Sequence, residues 1–419
     1  MTYSHSAAVF MPRLFLALFL IALAASMPAA AAPARIDIPV SVDGGAVITV
    51  ETAWPEGARA RALVVVVPGT GGLSDPYLNA ELRERVYDPD RRGGLTGKLL
   101  AAGYAVAYFS QRGYAPLRSC VEGDSPTQRA AALAARCPDP RVRAGVDFVT
   151  ITADTGRVFA ALARHPRTRG LAQIALAYSE GMHHVSAAVG QHAMRPIGIV
   201  AVGGPLASLA RIVPYQLQYE YFANVASEGF ARCPHRDLTA EELFRCAGKW
   251  HSPALLAKMS EFMGAPTLRR QLLPLRREAT QAYFRAQAAF YASQSAQATI
   301  AGNFEGHTIP VAWNGRFQYQ QMTAAVGSLD QLGDFDGRVV YLFGMRDHLV
   351  PLPAPGACPA RPDGSARTTC RVQVIEDVGH GLEDERGFPP DAVLDALLRA
   401  VDEVAQARKK RAPIARRSF

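Results

Sequence analysis

The segment Ala177-Tyr178-Ser179-Glu180-Gly181 lies between an apolar run and a stretch with helical character. The apolar run, residues 174–178, is typical of a strand that is covered on both faces of a sheet. A serine on a sharp strand-to-helix turn exposes its hydroxyl above the sheet edge, and small residues on both sides permit such a turn. The segment therefore predicts that Ser179 is a nucleophile carried by an α/β sheet.

Two further polar residues follow later strands. Asp347 comes soon after the predicted strand 339–343, and His380 follows the predicted strand 372–375 on a loop flanked by glycines. Open α/β sheets bind ligands at the carboxyl ends of their strands, so these residues are expected to share one edge with Ser179. A serine, an acid and a histidine in this order form the triad of such sheets. Each of the three residues alone is readily explained by a structural role, but the three together favour a catalytic triad.

Other candidates lack this context. Ser227 also begins a Ser-Glu-Gly sequence, but its surroundings have a helical pattern rather than a strand-turn-helix pattern. His183 and His184 follow the predicted nucleophile by one helical turn, and we expect them to pack or to line the site. His348 is too close in the chain to the predicted acid to be its partner across a cleft.

A hydrolytic site of this kind needs backbone N–H donors for the oxyanion that develops during acyl transfer. The amide of Glu180, just after the serine, is one predicted donor. The second is the amide of Thr70, in the loop Gly69-Thr70-Gly71-Gly72 that follows a buried strand. The glycine-rich loop lacks the Lys-Ser/Thr pair and the spacing of nucleotide sites, so no nucleotide site is predicted there. The predicted triad chemistry implies no organic cofactor.

Strands alternate with helices along most of the chain, which predicts parallel βαβ units in a doubly wound, mostly parallel sheet. The first two strands flank Asp43-Gly44 and are predicted to form a hairpin. The predicted strands are 36–42, 47–51, 62–67, 104–109, 174–178, 197–202, 339–343 and 372–375, and the predicted helices are 96–102, 146–164, 185–190 and 391–407.

Residues 206–335 interrupt this alternation and show no strand pattern. A segment of that length inside a compact domain is expected to carry structure of its own, and its composition predicts a helical cap. The predicted core therefore comprises 32–205 and 336–407, followed by a basic, disordered tail at 408–419.

The first 31 residues are predicted to be a signal peptide. Arg13 precedes an apolar run at 14–25, and Ala29-Ala30-Ala31 has the small residues of a cleavage site. The alternative is an uncleaved anchor, but the run is shorter than the roughly 20 residues that span a bilayer. The sequence therefore predicts an exported protein, periplasmic or secreted, without a stable membrane span.

The six cysteines fit an oxidising compartment because they are close in pairs along the chain. Local pairing is predicted since short loops close at low entropic cost, although the sequence by itself allows other connectivities and free thiols. No Cys or His spacing typical of a zinc site is present, so no metal is expected. The predicted pairs are Cys120 with Cys137, Cys233 with Cys246, and Cys358 with Cys370.

The formal net charge of +8 arises at the two ends of the chain. Arg13 and the six basic residues of 408–419 account for seven of the 45 Lys and Arg residues, which leaves 38 against 37 Asp and Glu residues. The body is thus nearly neutral, and nucleic-acid binding is not predicted. The basic tail is interpreted as a solvated end, with contact to an anionic lipid or polymer as the alternative.

Together these features resemble the α/β-hydrolase superfamily over most of the chain outside the insertion. They resemble bacterial serine esterases and dienelactone-hydrolase-like proteins most, since these often carry a Ser-Glu-Gly elbow and a helical lid after a Gly-Pro segment, here Gly204-Pro205. Ala177 stands in place of the usual first glycine. Tyr178 and Met182 replace the more frequent His and Gly, so the pocket floor and the helix packing are expected to differ. The resemblance implies the roles predicted above: nucleophile Ser179, acid Asp347, base His380, and oxyanion amides Thr70 and Glu180.

The predicted function is an exported serine hydrolase that cleaves a small-molecule carboxylic ester through an acyl-enzyme. Two alternatives stay open at this level. One is a peptidase or amidase that uses the same triad, because leaving-group preference depends on the insertion and on loops. The other is a binding protein that has the fold without the activity. No feature of the sequence bears on the oligomeric state.

Overall fold

The computed structural model describes the core of the chain and parts of the insertion. The predicted signal peptide 1–31, the tail 408–419, Thr70, Cys120 and Ser227 lie outside the described residues. The described residues are 35–57, 59–69, 94–115, 137–143, 145–208, 212, 222, 225–226, 229, 232–233, 238–249, 251–264, 297–304, 307–314, 327–345, 347, 349–350, 352–353, 356–358, 360, 369–382, 384 and 389–407.

A nine-stranded sheet forms the centre, in the order β1-β2-β4-β3-β5-β6-β9-β11-β10. From β4 to β11 every neighbouring pair is parallel, whereas β1, β2 and β10 pair antiparallel with their neighbours. The predicted doubly wound, mostly parallel sheet is confirmed. The strands are β1 Arg35–Ser41, β2 Val47–Ala53, β3 Leu63–Val67, β4 Ala105–Phe109, β5 Gln173–Tyr178, β6 Gly198–Val202, β7 Gln297–Phe304, β8 His307–Asn314, β9 Arg338–Gly344, β10 Gly356–Ala357 and β11 Cys370–Ile375.

Helices cover both faces of this sheet. Buried side chains of α3, α4 and α7 pack on one face, and those of α1 and α8 pack on the other. The helices are α1 Leu95–Ala101, α2 Pro140–Arg143, α3 Phe148–Arg164, α4 Gly181–Gly190, α5 Ala240–Ala247, α6 Pro253–Gly264, α7 Ser328–Gln331 and α8 Asp391–Ala407. Among the described residues, no helix has both the length and the apolar character needed to cross a membrane.

The central strands are apolar throughout because both of their faces are covered. In β3 the side chains of Leu63, Val65 and Val67 join one core cluster, and those of Val64 and Val66 join the other. This alternation follows from the two-residue period of a strand, and it explains why an unbroken apolar run is a strand here.

The predicted hairpin at the start of the chain is present. β1 and β2 pair from Arg35 opposite Ala53 to Ser41 opposite Val47, with a short 3-10 turn at Asp43–Gly45 between them. Helix α4 begins at Gly181, four residues before the predicted start at 185. The reason is that the helix follows the serine turn directly, where Gly181 and Met182 carry no sequence signal of a helix start.

The insertion 206–335 is not helical throughout, so the expectation of a purely helical cap was wrong in part. β7 and β8 form a separate antiparallel sheet, from Gln297 opposite Asn314 to Phe304 opposite His307. Glycine, asparagine and proline are depleted in strands, and Gly302, Asn303 and Pro310 lie within these two. These residues hide the strand pattern, and a two-stranded ladder can accommodate a proline because each strand has a free edge.

The helical part of the insertion has its own small core. Phe222, Leu243 and Phe244 are buried there together with residues of α6. Thr239 begins α5 with a capping box, since its hydroxyl accepts from the Glu242 amide and the Glu242 carboxylate accepts from the Thr239 amide.

Disulfides link cysteines that are close in sequence. Cys233 is bonded to Cys246 in the insertion, and Cys358 is bonded to Cys370 beside β10 and β11. Cys137 is also disulfide-bonded. Cys246 lies in α5 and Cys370 is the first residue of β11, whereas Cys137, Cys233 and Cys358 lie on loops. Bonds of this kind are expected of staples in an oxidising compartment.

The packing of α8 on β6 provides a test of the core. A Cβ at Gly198 would lie 2.6 Å from Val404 Cβ and 3.1 Å from the Arg338 carbonyl oxygen. We expect Gly198→Ala to lower the free energy of unfolding by about 1–3 kcal/mol, because α8 must shift to admit the methyl group. Urea denaturation measures this loss.

Gly145→Ala is the matched control. Its Cβ would meet nothing closer than the Val142 carbonyl oxygen at 4.0 Å, and the φ of Gly145 is not in the left-handed region. Equal midpoints for the two variants would show that α8 does not pack on β6 at this distance.

Candidate active site

The candidate site lies at the edge where the parallel strands end. Ser179 follows β5, Gly203 follows β6, and Asp347 comes three residues after β9. His380 comes five residues after β11, which lies beside β9. The sheet therefore brings the three predicted triad residues to one edge, where ligands bind in open α/β sheets.

Ser179 occupies a strained turn. Its φ is 49°, in the left-handed region that non-glycine residues seldom adopt. The Ser179 amide donates to the Val202 carbonyl oxygen at 2.8 Å, and the Ser179 carbonyl accepts from the Met182 amide at 3.0 Å. The residue is partly exposed. A partly exposed serine with this φ, between a strand and a helix, has the geometry of a nucleophile elbow.

Two glycines allow the backbone of this turn to touch the end of β3. A Cβ at Gly181 would lie 2.6 Å from the Pro68 carbonyl oxygen, and a Cβ at Gly69 would lie 2.8 Å from the Tyr178 carbonyl oxygen. The same Cβ at Gly69 would lie 3.0 Å from Ser179 Cβ. The residue that directly precedes Thr70 therefore packs against the serine, although Thr70 itself is outside the described residues.

Asp347 and His380 form a hydrogen-bonded pair. His380 Nδ1 lies 2.8 Å from Asp347 Oδ2, and the Asp347 side chain is fully buried. The other oxygen, Oδ1, accepts from the amides of Leu349 at 2.9 Å and Val350 at 3.0 Å. A carboxylate only accepts hydrogen bonds, so His380 donates to Asp347 from Nδ1–H, and Nε2 is the ring nitrogen that can act as a base.

Gly203 lies directly against His380. Its φ is 56°, and its amide donates to the Leu342 carbonyl oxygen at 2.8 Å. A Cβ there would lie 2.6 Å from the His380 carbonyl oxygen, 2.9 Å from Cε1 and 3.0 Å from Nδ1. Since the amide of Ser179 bonds to Val202, the residue before Gly203, the serine turn and the imidazole are next to the same strand end.

The Glu180 side chain is buried in the helical layer. Its Oε1 lies 3.6 Å from His184 Nε2, and His184 Nδ1 lies 3.0 Å from Thr152 Oγ1. The Phe148 ring packs against His184 with a centroid distance of 4.6 Å and a tilt of 33° between the rings. The carboxylate thus lies beside His184 of α4, and the feature of Glu180 that stays a candidate for the oxyanion is its backbone amide.

His183 is fully buried, and neither ring nitrogen has a hydrogen-bond partner among the described residues. Burial lowers the pKa of His183 to about 4, with Glu180 opposing the shift and His184 adding to it. The ring is therefore neutral at neutral pH. In the described ranges no group of three or more His, Cys, Asp or Glu residues is placed to hold a metal ion.

Two polar residues beside the site were not found from the sequence. Gln111 follows β4 and is buried, and its Nε2 donates to the Gly69 carbonyl oxygen at 3.4 Å. Arg143, in α2, donates from Nη1 to Gln111 Oε1 at 3.4 Å and to the Arg112 carbonyl oxygen at 3.0 Å. The place of Gln111 after a core strand was a usable signal, whereas nothing in the sequence indicates that Arg143 reaches this edge.

The sheet with its two helical layers and the serine turn after β5 is the α/β-hydrolase fold. No protein-family model and no curated protein matches the chain. Similar solved structures include VinJ, at 14% identity over 88% of this chain and 99% of that chain, with a TM-score of 0.46. A thermostable carboxyl esterase from Bacillus coagulans is similar at 14% identity over 89% of this chain and 99% of its own, with a TM-score of 0.45. Proline iminopeptidase from Mycobacterium smegmatis is similar at 14% identity over 89% and 100%, with a TM-score of 0.44. Likenesses at this level carry no conclusion about activity.

The contact between Gly203 and His380 leads to a first prediction for the site. We expect Gly203→Ala to displace the imidazole and to break the hydrogen bond from Nδ1 to Asp347, because the methyl group would overlap the ring. The downfield proton resonance of His380 Nδ1, assigned by its loss in His380→Gln, is expected to disappear.

Gly57→Ala is the control for backbone strain alone. Gly57 has a φ of 63°, close to that of Gly203, but a Cβ there would meet nothing within 4 Å. A resonance that survives in Gly203→Ala and in Gly57→Ala alike would contradict the predicted contact.

The buried His183 leads to a prediction on pH. The folded state holds this ring neutral down to about pH 4, whereas an unfolded histidine binds a proton near pH 6.5. The unfolded state thus binds more protons in this window, and stability falls as the pH drops from about 6.5 to 4 by on the order of 3 kcal/mol. We expect His183→Leu to remove this component of the pH dependence, as measured by urea unfolding from pH 7 to pH 4.

His192→Asn is the matched control, because His192 is exposed and asparagine tolerates its φ of 57°. The control is expected to keep the wild-type slope of stability against pH. A His183→Leu variant with that same slope would show that His183 is not held neutral by the fold.

Proposed function

We propose that the protein is an exported serine hydrolase that cleaves carboxylic esters, with Ser179 as nucleophile, His380 as base and Asp347 as the acid. The observation that carries the proposal is the 2.8 Å contact between Asp347 and His380, which lies at the same strand ends as the strained turn of Ser179. A hydroxyl needs such an adjacent base to become a nucleophile.

In the first half of the reaction, His380 Nε2 takes the proton of Ser179 Oγ while Oγ forms a bond to the ester carbonyl carbon. The electron pair of the C=O bond moves to the carbonyl oxygen. When this intermediate collapses, the bond to the leaving oxygen breaks and His380 gives that oxygen its proton. Water then attacks the acyl-enzyme by the same steps, which releases the acid and restores the Ser179 hydroxyl.

Asp347 orients the base in this scheme. Amides of the following residues hold one of its oxygens, so the other points at His380 Nδ1 in a fixed direction. Because the carboxylate is buried, its attraction for the imidazolium that forms during the reaction is weakly screened by water. The acid thus selects the tautomer and stabilises the charged ring.

The oxyanion is proposed to bind the amides of Glu180 and Thr70. Glu180 directly follows the proposed nucleophile at the N-terminal end of α4, so its amide lies beside Ser179 at the positive end of the helix. Gly69 packs on Ser179 Cβ, which supports a second donor from the peptide that follows it. Two amides next to the serine are the usual arrangement for this charge.

Export is supported by the disulfides together with the predicted signal peptide 1–31. Two bonds lie within the described residues, Cys233 to Cys246 and Cys358 to Cys370. Such bonds persist in the periplasm or outside the cell. Residues 206–335 are proposed to form a cap whose contacts select a small or medium ester.

The activity is tested with a series of p-nitrophenyl esters on the mature protein, beside Ser179→Ala. We expect turnover by the wild type and its loss in the variant, together with covalent labelling of Ser179 by a fluorophosphonate. Hydrolysis of peptide amides without ester turnover would replace the proposal with a peptidase. A folded wild type that neither turns over esters nor takes the label would indicate a binding protein.

The role of Asp347 is tested by Asp347→Asn. The amide has the same size but can donate to Nδ1, which favours the wrong tautomer, so kcat is expected to fall by about four orders of magnitude. Steady-state kinetics on the ester of the series with the highest kcat/KM measure kcat for the wild type and the variant. Asp377→Asn is the control: it is an exposed acid three residues from His380, and asparagine tolerates its φ of 60°. Similar kcat values for the two variants would remove Asp347 from the mechanism.

A further inference from the structure

We propose that the edge of the sheet opposite the candidate active site binds an anionic lipid surface through a cluster of exposed arginines. The inference does not depend on the proposed function, because the cluster lies on segments that lead into the strands, whereas the triad residues follow the strands. We call the cluster the amino-edge arginines, and its members are Arg59, Arg164, Arg167, Arg169 and Arg195.

The cluster is carried by three segments that enter neighbouring strands. Residues 54–62 lead into β3, residues 164–172 lead into β5, and residues 190–197 lead into β6. These three strands are consecutive in the sheet, and neighbouring strands lie about 4.8 Å apart. The next segment, which enters β9, carries the exposed acids Asp334 and Asp336 and bounds the cluster on that side.

Backbone hydrogen bonds join the three segments. The Leu63 amide donates to the Ala172 carbonyl oxygen at 2.9 Å, which links the first segment to the second. The Ile197 amide donates to the Gln173 carbonyl oxygen at 2.7 Å, which links the third segment to the start of β5. The arginines therefore belong to one continuous surface at the edge where these parallel strands begin.

The positive charge of the cluster is not neutralised by neighbouring acids. None of the five arginines has an ion-pair partner among the described residues, and Glu56 is the one acid in the described part of the three segments. Arg61, by contrast, is paired with Asp402 at 3.1 Å. Arg164 ends α3 and complements the helix macrodipole, which accounts for one of the five. Like charges without partners repel one another, so an anionic surface bound at this edge would relieve the repulsion.

The end of α8 lies at the same edge. Arg338, the first residue of β9, donates from Nε to Glu403 of α8 at 2.8 Å. A Cβ at Gly198, the first residue of β6, would lie 2.6 Å from Val404 Cβ. Residues 408–419, which follow α8 in the sequence, include six Lys and Arg residues and no acid. A second basic segment, far from the first in sequence, thus follows a helix that ends beside the cluster.

An anionic lipid surface fits this edge better than a nucleic acid does. Arginines on three segments present charge over an area, and clustered Lys and Arg residues bind anionic headgroups in this way. A single-stranded nucleic acid is bound largely by aromatic side chains on which its bases stack. Trp54 is the one aromatic residue in the described part of the three segments, and it is half-buried, with Nε1 donating to Thr52 Oγ1 at 3.2 Å. The edge therefore offers charge without a surface for stacking.

Binding through this edge would hold the candidate active site away from the lipid. β5 leads from the cluster to Ser179, and its six residues span roughly 20 Å. The three predicted triad residues lie at the far ends of their strands, so they would face water while the arginines contact the headgroups.

The test is cosedimentation of the mature protein with vesicles of phosphatidylcholine that contain roughly 30% phosphatidylglycerol, beside vesicles of pure phosphatidylcholine. We expect binding to the anionic vesicles alone. The binding is expected to weaken as salt is raised, because the screening length falls from about 10 Å at 0.1 M to about 3 Å at 1 M. A protein that does not bind the anionic vesicles at low salt would overturn the proposal.

A triple variant tests the cluster itself. Arg164→Gln, Arg167→Gln and Arg169→Gln, made in one chain, remove three exposed charges. Each Lys or Arg near an anionic surface strengthens binding about fivefold, so the vesicle affinity is expected to fall on the order of 100-fold. The corresponding triple variant with lysine keeps the charge without the guanidinium geometry, and it is expected to bind as the wild type does.

The matched control removes the same charge elsewhere. Arg141→Gln, Arg245→Gln and Arg399→Gln change exposed arginines of α2, α5 and α8 that lie outside the cluster. This variant has the same net charge as the glutamine variant of the cluster, and it is expected to keep wild-type binding. Equal losses in the two variants would assign the binding to net charge and overturn the proposal.

Deletion of 408–419 separates the cluster from the tail. The shortened protein is expected to bind anionic vesicles still, and to lose that binding when the three cluster arginines are changed to glutamine. Binding that the deletion abolishes and the glutamine variant retains would assign it to the tail alone and contradict the proposal. Tighter binding of duplex DNA than of anionic vesicles by the shortened protein would replace the lipid with a nucleic acid.

Discussion

The site depends on direct contact between backbone segments at the carboxyl edge of the sheet. At Gly69, Gly181, Gly203 and Gly344 a single added Cβ would come within 2.1 to 2.8 Å of a carbonyl oxygen from another segment. Side chains would hold these loops several ångströms apart. Because these four positions carry no side chain, the serine turn, the loop after β3 and the histidine loop can pack directly against one another.

The same closeness governs the electrostatics. Asp347 is fully buried and is satisfied by two amides and one imidazole, so its charge is stabilised without water. His380 is the exposed end of this pair, with 15% of its side chain accessible. A buried acid that orients a partly exposed base is what transfer of a proton to and from a bound substrate requires.

The buried polar residues beneath the serine turn are of two kinds. His184 Nδ1 is hydrogen-bonded to Thr152 Oγ1, and its Nε2 lies 3.6 Å from the Glu180 carboxylate, beyond hydrogen-bond distance. His183 is buried without a partner in the described part of the chain, and it is kept neutral instead. His183 and His184 both lie in the first turns of α4, which directly follows Ser179, so the stability of this layer and the geometry of the proposed nucleophile are coupled through α4.

The sequence by itself determined the sheet, because apolar runs bounded by glycine and charged residues are strands wherever both faces are covered, as in 62–67 and 197–202. It also determined the order of Ser179, Asp347 and His380 along the chain, since each follows its own strand. Only the tertiary structure decided which distant groups meet. These contacts are the hydrogen bond between Asp347 and His380, the packing of Gly203 against His380, and the hydrogen bonds that link Arg143 to Gln111 and Gln111 to Gly69. These contacts join residues 30 or more positions apart, and no local pattern records them because they arise from strand order and from the absence of side chains at glycine. The hairpin of β7 and β8 was missed for a related reason, since pairing with a neighbouring strand overcame the poor strand propensity of Gly302, Asn303 and Pro310.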